Sequence, residues 1–323
     1  VVFDEAQRAG DKEQASAIKK QKKGKADFEQ SEPEFLIEVM NRHQDWCVVV
    51  CLIGGGQEIN KGEAGISEWI AALQTRFTDW SVYYSAQIEQ QAVYLNNEAQ
   101  KTWLREQAHE EAELHLSVSV RSFRSEAVAQ FVESVLGDQA LQAQALYPHI
   151  EAAGFLIRVT RDLNVAKQWL RQQARGSERY GLIASSGGRR LRPEGIDVKN
   201  KIDPVYWFLN PQDDVRSAYY LEDVATEFDV QGLEIDYACV GWDINLYYQQ
   251  GWQGQFFTGS SWKNIADPWK QKYLLNAYRV LLTRARQGMV IYVPDVDGSD
   301  HTRPKHFYDA TYEFLRACGV TAI

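Results

Sequence analysis

Apolar positions along the chain follow two alternating patterns. Stretches of strand length rich in apolar residues occupy residues 1–3, 46–53, 116–120, 155–159, 182–185, 233–240 and 289–293, with 46–53 unbroken. Between them, apolar residues return every third or fourth position. Such helical spacing marks residues 35–40, 66–73 and 103–114, and the face formed by Val128, Phe131, Val132 and Val135. The last face has Ser122 before it as a cap and Gly137 just past its end. Ala166, Trp169 and Leu170 mark another helix, and Leu274, Leu275, Tyr278, Leu281 and Leu282 a longer one over residues 273–286. Residues 82–85 and 93–95 are short strand candidates. The run 46–53 reads as a parallel strand buried on both faces. Residues 10–33, with Lys19, Lys20, Lys22 and Lys23, are polar and predict a loop or mobile helix with a solvated face.

Strands alternating with helices predict an α/β fold with parallel sheets covered on both faces. In such sheets ligands sit beyond the carboxyl ends of the strands. A length of 323 residues predicts two domains, which the pattern divides into residues 1–112 and 113–323. The first of these opens inside what reads as a strand, so the chain reads as a piece of a longer polypeptide.

Charge narrows the choice of partners. The net charge is −9, so any nucleic-acid site must be a local basic groove on an acidic body. Cys47, Cys51, Cys239 and Cys318 form no CxxC pair, which argues against a disulfide framework or a zinc site. The longest apolar run is too short to span a bilayer and no signal peptide is visible, so a cytoplasmic protein with no membrane partner is expected.

The chemistry begins at residues 1–8, Val-Val-Phe-Asp-Glu-Ala-Gln-Arg. An apolar strand ending in Asp4-Glu5 suits a nucleotide-hydrolysing site. One acid holds magnesium and the other activates a water. Two acids at a strand end also suit a solvated turn. The second element is Leu281-Leu282-Thr283-Arg284-Ala285-Arg286, where an apolar helix runs into a basic end. An arginine there can neutralise a transferred phosphate, and it can also simply complement the helix dipole. Residues 53–59, Ile-Gly-Gly-Gly-Gln-Glu-Ile, tempt a phosphate-loop reading, which fails for want of a following Lys-Ser/Thr.

Together these segments resemble superfamily 1 helicases, and the flanking phrases Gly62-Glu63-Ala64-Gly65 and Leu274-Leu275-Asn276-Ala277-Tyr278-Arg279 look most like the Schlafen-related DNA/RNA helicases. The resemblance covers nearly the whole chain. It implies two RecA-like domains that close on ATP and Mg2+ and step along single-stranded DNA or RNA. Asp4 and Glu5 match motif II, with Asp4 the metal ligand and Glu5 the base. Gln57 matches the phosphate sensor of motif III, and Arg121 the arginine of motif IV, with Arg124 competing for that role. Residues 226–234, Thr-Glu-Phe-Asp-Val-Gln-Gly-Leu-Glu, resemble motif V and assign nucleotide-side contacts to Gln231, Gly232 and Glu234. Arg284 matches the arginine finger of motif VI, with Arg286 the runner-up.

For nucleic acid, the residues following the strands of the second half are the candidates: Thr160, Arg161, Ser185, Ser186 and Arg189, with Arg190 and Arg192 beside them. Trp252, Phe256, Phe257 and Trp262 are candidates for base stacking. The departure from the family is the absence of G-x-x-x-x-G-K-[ST]. The resemblance places that loop before motif II, so upstream domains of the same polypeptide are an expected partner. Two other readings compete: a helicase-derived binding or regulatory module without ATPase activity, and a nucleotide-dependent enzyme of another class, such as a kinase.

Overall fold

β1 (Val2–Phe3) pairs in parallel with β2 (Val50–Cys51), so the strand carrying Asp4 and Glu5 is tied to the run that precedes the glycines. The computed structural model describes residues 1–10, 12, 30–54, 65–90, 94–115 and 123–323, and its contacts divide the chain into Val1–Val118 and Ser119–Ile323.

In the first unit, α1 (Glu32–Met40) opens with a reciprocal cap. Glu34 N donates to Ser31 Oγ at 3.3 Å and Ser31 N to Glu34 Oε2 at 3.1 Å. With α2 (Ser67–Thr75) it covers one face of β1 and β2, where Phe3, Val49, Cys51 and Ile53 pack around Ile37, Trp69 and Phe77. The opposite face carries Val2, Val48 and Val50, all exposed, and Trp46 is 78% exposed. Residues 46–53 were expected to be buried on both faces. Among the described residues only β1 pairs with β2, so the ladder is two residues long and one-sided.

A second small sheet joins β3 (Tyr83–Tyr84) to β4 (His109–Glu110) in parallel. The helix expected over 103–114 is α3 (Glu98–Gln107) instead. Asn97 Oδ1 accepts from Ala99 N and Gln100 N, which starts the helix early, and pairing with β3 ends it.

The second unit is built on six parallel strands in the order β13-β5-β12-β8-β6-β7. They are β5 (Leu156–Thr160), β6 (Tyr180–Ala184), β7 (Val224–Ala225), β8 (Ile235–Gly241), β12 (Ala285–Tyr292) and β13 (Thr321–Ala322). Every residue of β8 is buried, as a central parallel strand requires. α4 (Phe123–Leu136) and α5 (Ala140–Ala152) pack on each other, and α6 (Leu163–Gln173) lies on the sheet. Its Leu163, Ala166, Trp169 and Leu170 meet Leu182, Cys239, Val290 and Tyr292. At Gly181 a Cβ would lie 2.5 Å from the ring of the fully buried Trp207, so only glycine lets that tryptophan close over β6.

An antiparallel meander interrupts the α/β pattern. β9 (Leu246–Tyr248) pairs with β10 (Trp252–Thr258), and β10 with β11 (Ser261–Asn264). α7 (Pro268–Leu282) leads into β12, and α8 (Lys305–Ala317) packs on β9 before β13 closes the sheet edge. No described helix is long and apolar enough to cross a membrane.

Candidate functional site

Asp4 is exposed at the end of β1, and its Oδ1 accepts from Glu5 N at 3.0 Å. Glu5 sits in the left-handed region at φ 52°, which is uncommon for a residue with a Cβ. Gln7, only 2% exposed, fixes it from below. Gln7 Nε2 donates to Glu5 Oε2 at 2.6 Å, and Gln7 Oε1 accepts from Gly54 N at 3.1 Å. One amide side chain thus joins the acid pair to the first glycine after β2. Ala6 is held as well, through Ala6 N to Leu52 O at 2.9 Å and Trp69 Nε1 to Ala6 O at 2.8 Å. Phe3, Asp4, Glu5, Arg8, Glu32 and Trp69 line an open hollow around the pair. Gln57 and Arg121 lie outside the described residues.

In the second unit the candidates separate onto opposite ends of the sheet. Gln231, Gly232 and Glu234 precede β8, and Arg284 precedes β12. These two approaches meet, because Ile235 N donates to Arg284 O at 3.0 Å and Ile235 pairs with Ala285. Gly232 has φ +81° with nothing within 4 Å of where a Cβ would stand, so its glycine serves the backbone turn. Thr-Arg-Ala-Arg was expected in the last turn of a helix. α7 instead stops at Leu282, Ala285 opens β12, and the motif stands at the amino ends of the strands. The physical reason is strand pairing: β8 captures the Arg284 carbonyl before the helix can use it.

Arg284 is 2% exposed; its Nε donates to Val280 O at 3.1 Å and its Nη2 to Thr283 Oγ1 at 3.4 Å. The Arg286 side chain is 56% exposed and pairs with Asp236 at 2.8 Å. Asp236 is held in turn by Arg179 N at 2.7 Å and Gln287 Nε2 at 3.2 Å.

The nucleic-acid candidates gather at the carboxyl ends, where Thr160, Tyr292, Gly241 and Ala184 stand in register across four strands. Thr160 is buried and its carbonyl accepts from Val293 N. Arg161 is engaged by Pro294 O at 2.8 Å, Asp309 at 2.9 Å and Asp295 at 3.3 Å. Ser185 is 1% exposed, and its Oγ accepts from Asn245 Nδ2 at 3.0 Å. Arg189 is exposed, and its side chain makes no hydrogen bond or ion pair among the described residues. Of the five, Arg189 is the side chain that solvent reaches freely. Arg190 pairs with Asp300 at 2.6 Å and lies 5.6 Å over the Phe257 ring.

Two acids here were not singled out in the sequence. Glu227, 3% exposed, accepts from Ser186 N and Ser186 Oγ, each at 2.7 Å. Asp243, fully enclosed, accepts from Arg190 N at 2.7 Å and the Tyr308 hydroxyl at 2.6 Å. Burial pushes both carboxyls above their usual range, against the pull of those hydrogen bonds. An acid at the end of an apolar strand was the available signal. Among the stacking candidates, Trp252 is half-buried and already engaged, stacked on Trp242 at 5.2 Å and donating to Val135 O. Phe257 and Trp262 form an edge-to-face pair at 5.0 Å near Arg190, and Phe256 is 47% exposed.

A parallel sheet with helices and candidate groups at its strand ends is the architecture of RecA-like, P-loop-type proteins. The profile of the Schlafen group 3, DNA/RNA helicase domain family matches residues 1–295, and the chain belongs to that family. The match ends before α8 and β13, although Tyr308 of α8 completes the hydrogen bonding of Asp243. A search of curated proteins found no match.

Proposed function

We propose that the chain supplies part of a nucleic-acid-dependent ATPase motor, in which two RecA-like units couple ATP hydrolysis to movement along a single strand. The observation that carries this reading is the pairing of Ile235 with Arg284, which draws the segment containing Gln231, Gly232 and Glu234 together with the candidate finger. An exposed Asp4 beside Glu5 fits a magnesium ion, which takes one or two carboxylates and keeps several waters. Bound there, magnesium would offset charge on the phosphates. Asp4 would hold it, and Glu5, its carboxylate steadied by Gln7, would accept the proton of the attacking water. Gln57 would sense the terminal phosphate. Gln231, Gly232 and Glu234 would face the nucleotide.

Arg284 would oppose charge that develops in the transition state, which requires its buried guanidinium to leave Val280 O and Thr283 Oγ1. Arg286 and Arg121 are the alternatives. The test uses a polypeptide that also carries a phosphate loop. Arg284→Ala should lower turnover on the order of a thousandfold while ATP affinity changes little. Should Arg286→Ala produce that loss instead, with Arg284→Ala merely lowering the melting temperature, the finger is Arg286.

The carboxyl edge would hold the strand, with Arg189 as its most accessible charge and Thr160, Arg161, Ser185 and Ser186 shaping the surface. The sequence of the chain favours a second reading for these residues taken alone. Without G-x-x-x-x-G-K-[ST] they lack the lysine and amide cradle for nucleotide phosphates, and would act as a binding module. Measuring strand affinity and ATP turnover on the same preparation separates the two.

A further inference from the structure

The turn after β6 contributes five backbone amides, from Ser186 to Arg190. Three are used within it: Gly187 N donates to Ser185 Oγ at 3.3 Å, Gly188 N to Ser185 O at 2.7 Å and Arg189 N to Gly187 O at 2.8 Å. The two outer amides are held by carboxylates from elsewhere. Arg190 N donates to Asp243, which Ile244 N and the Tyr308 hydroxyl also grip, at 2.8 and 2.6 Å, in a fully buried setting. Ser186 N and Ser186 Oγ donate to the two oxygens of Glu227, both at 2.7 Å.

The two carboxylates are held differently. Asp243 is tied to its own neighbour Ile244 and, through Arg190 and Tyr308, to two separate elements. Glu227 lies on the irregular stretch between β7 and β8, and both of these hydrogen bonds come from one partly exposed serine. An N–H and an O–H from one residue, aimed at two oxygens of an anion, are also how a protein grips a phosphodiester. Arg189, three residues on along the same turn, is exposed.

We propose that Glu227 occupies a phosphate subsite of the strand interface, and that a backbone phosphate of a single strand displaces it from Ser186. The proposal rests on the strand-binding reading above and adds an occupant and a gate to it. Two anions cannot share one pair of donors, so the strand binds at the expense of the Glu227–Ser186 contact. Burial makes the ionised form of Glu227 costly in this seat, which offsets part of the strength of its contact with Ser186. The displaced residue is well placed to report strand arrival. Five residues further along, Gly232 turns the chain at φ +81° toward Ile235, which is bonded to Arg284. One segment therefore joins the strand edge of the sheet to its nucleotide edge.

The test is fluorescence anisotropy of labelled oligo(dT) and oligo(U) with the 323-residue chain at fixed salt, each variant first checked by thermal melt. Glu227→Gln keeps the shape and removes the competing charge. It should bind about tenfold more tightly, the worth of one charge-assisted hydrogen bond. Ser186→Ala, introduced into the Glu227→Gln protein, should reverse that gain. If folded Glu227→Gln binds equally or more weakly, Glu227 is only a brace for the turn and the proposal falls. It falls too if Ser186→Ala leaves the affinity of Glu227→Gln unchanged. If the unmodified chain and all variants fail to bind either oligonucleotide, the strand-interface reading fails with it. If the chain binds and Arg189→Ala weakens it while Glu227→Gln has no effect, only the displacement is refuted.

Discussion

At the scale of single residues, the acid pair depends on a side chain that does no chemistry itself. Gln7 uses one atom on Glu5 and the other on Gly54, and it is enclosed while doing so. Gln7→Leu keeps the volume but strands a backbone amide and a carboxylate. Leaving such partners unpaired in a shielded place costs about 1–3 kcal/mol. The first unit should melt at a correspondingly lower temperature, and turnover in a polypeptide with a phosphate loop should drop with nucleotide affinity retained. An unchanged melt would show that Gln7 is not the clamp. Glu227 gives a second handle. Burial raises its folded pKa above the ordinary value of 4.5, so the folded chain holds that proton more tightly than the unfolded one. Stability from this group therefore falls as pH climbs from 4.5 through the raised value, and it is level on either side. Glu227→Gln cannot ionise, so its melting temperature should gain on that of the parent as pH rises across this window. Parallel melts from acid to neutral pH read the difference, and a constant offset would contradict the assigned direction.

At the scale of elements, what the sequence discloses follows how completely each strand is buried. β5, β6, β8 and β12 were legible because a strand covered on both faces must be mostly apolar, as the stretches 155–159, 182–185, 233–240 and 289–293 are. Residues 46–53 look the same, yet only Val50–Cys51 pairs, since the pattern reports apolar character and not the presence of neighbours. The meander β9–β10–β11 was missed because its residues are polar and aromatic. Its first turn is set by backbone, with Gln250 and Gly251 both at positive φ. Helix ends were the least legible. α1 was expected from residue 35, yet the reciprocal cap of Ser31 and Glu34 starts it at Glu32, and the end of α7 is fixed by a partner strand distant in sequence. The candidate residues were read from short motifs in one dimension, so their separation onto two ends of one sheet could not be seen. The cap itself is testable. Ser31→Ala should destabilise the first unit by about 1 kcal/mol, seen as earlier loss of helical signal on heating. No change would mean the Glu34 half of the cap suffices alone.

At the scale of the whole molecule, an acidic chain is asked to bind a polyanion. With a net charge of −9, attraction must come from few groups, and the carboxyl edge spends most of its arginines internally. Arg161 answers Asp295 and Asp309, Arg190 answers Asp300, and Arg192 answers Asp197. Arg189 is left facing solvent, and the Ser186 pair adds donors without charge. Binding here should therefore be weakly dependent on salt. A plot of log affinity against log salt should have a slope of about −1 to −2, since each neutralised phosphate of a single strand contributes roughly −0.7. The same preparation should show no appreciable ATP turnover, because the lysine and amides of a phosphate loop are absent from its sequence. Arg189→Ala should flatten the slope by nearly one such step. A much steeper slope, unaffected by Arg189→Ala, would move the interface to another basic segment, and Lys19-Lys20-Gln21-Lys22-Lys23 is where the sequence concentrates positive charge. Replacing those four lysines with alanine would then collapse the slope, and the carboxyl edge of the sheet would lose its assignment.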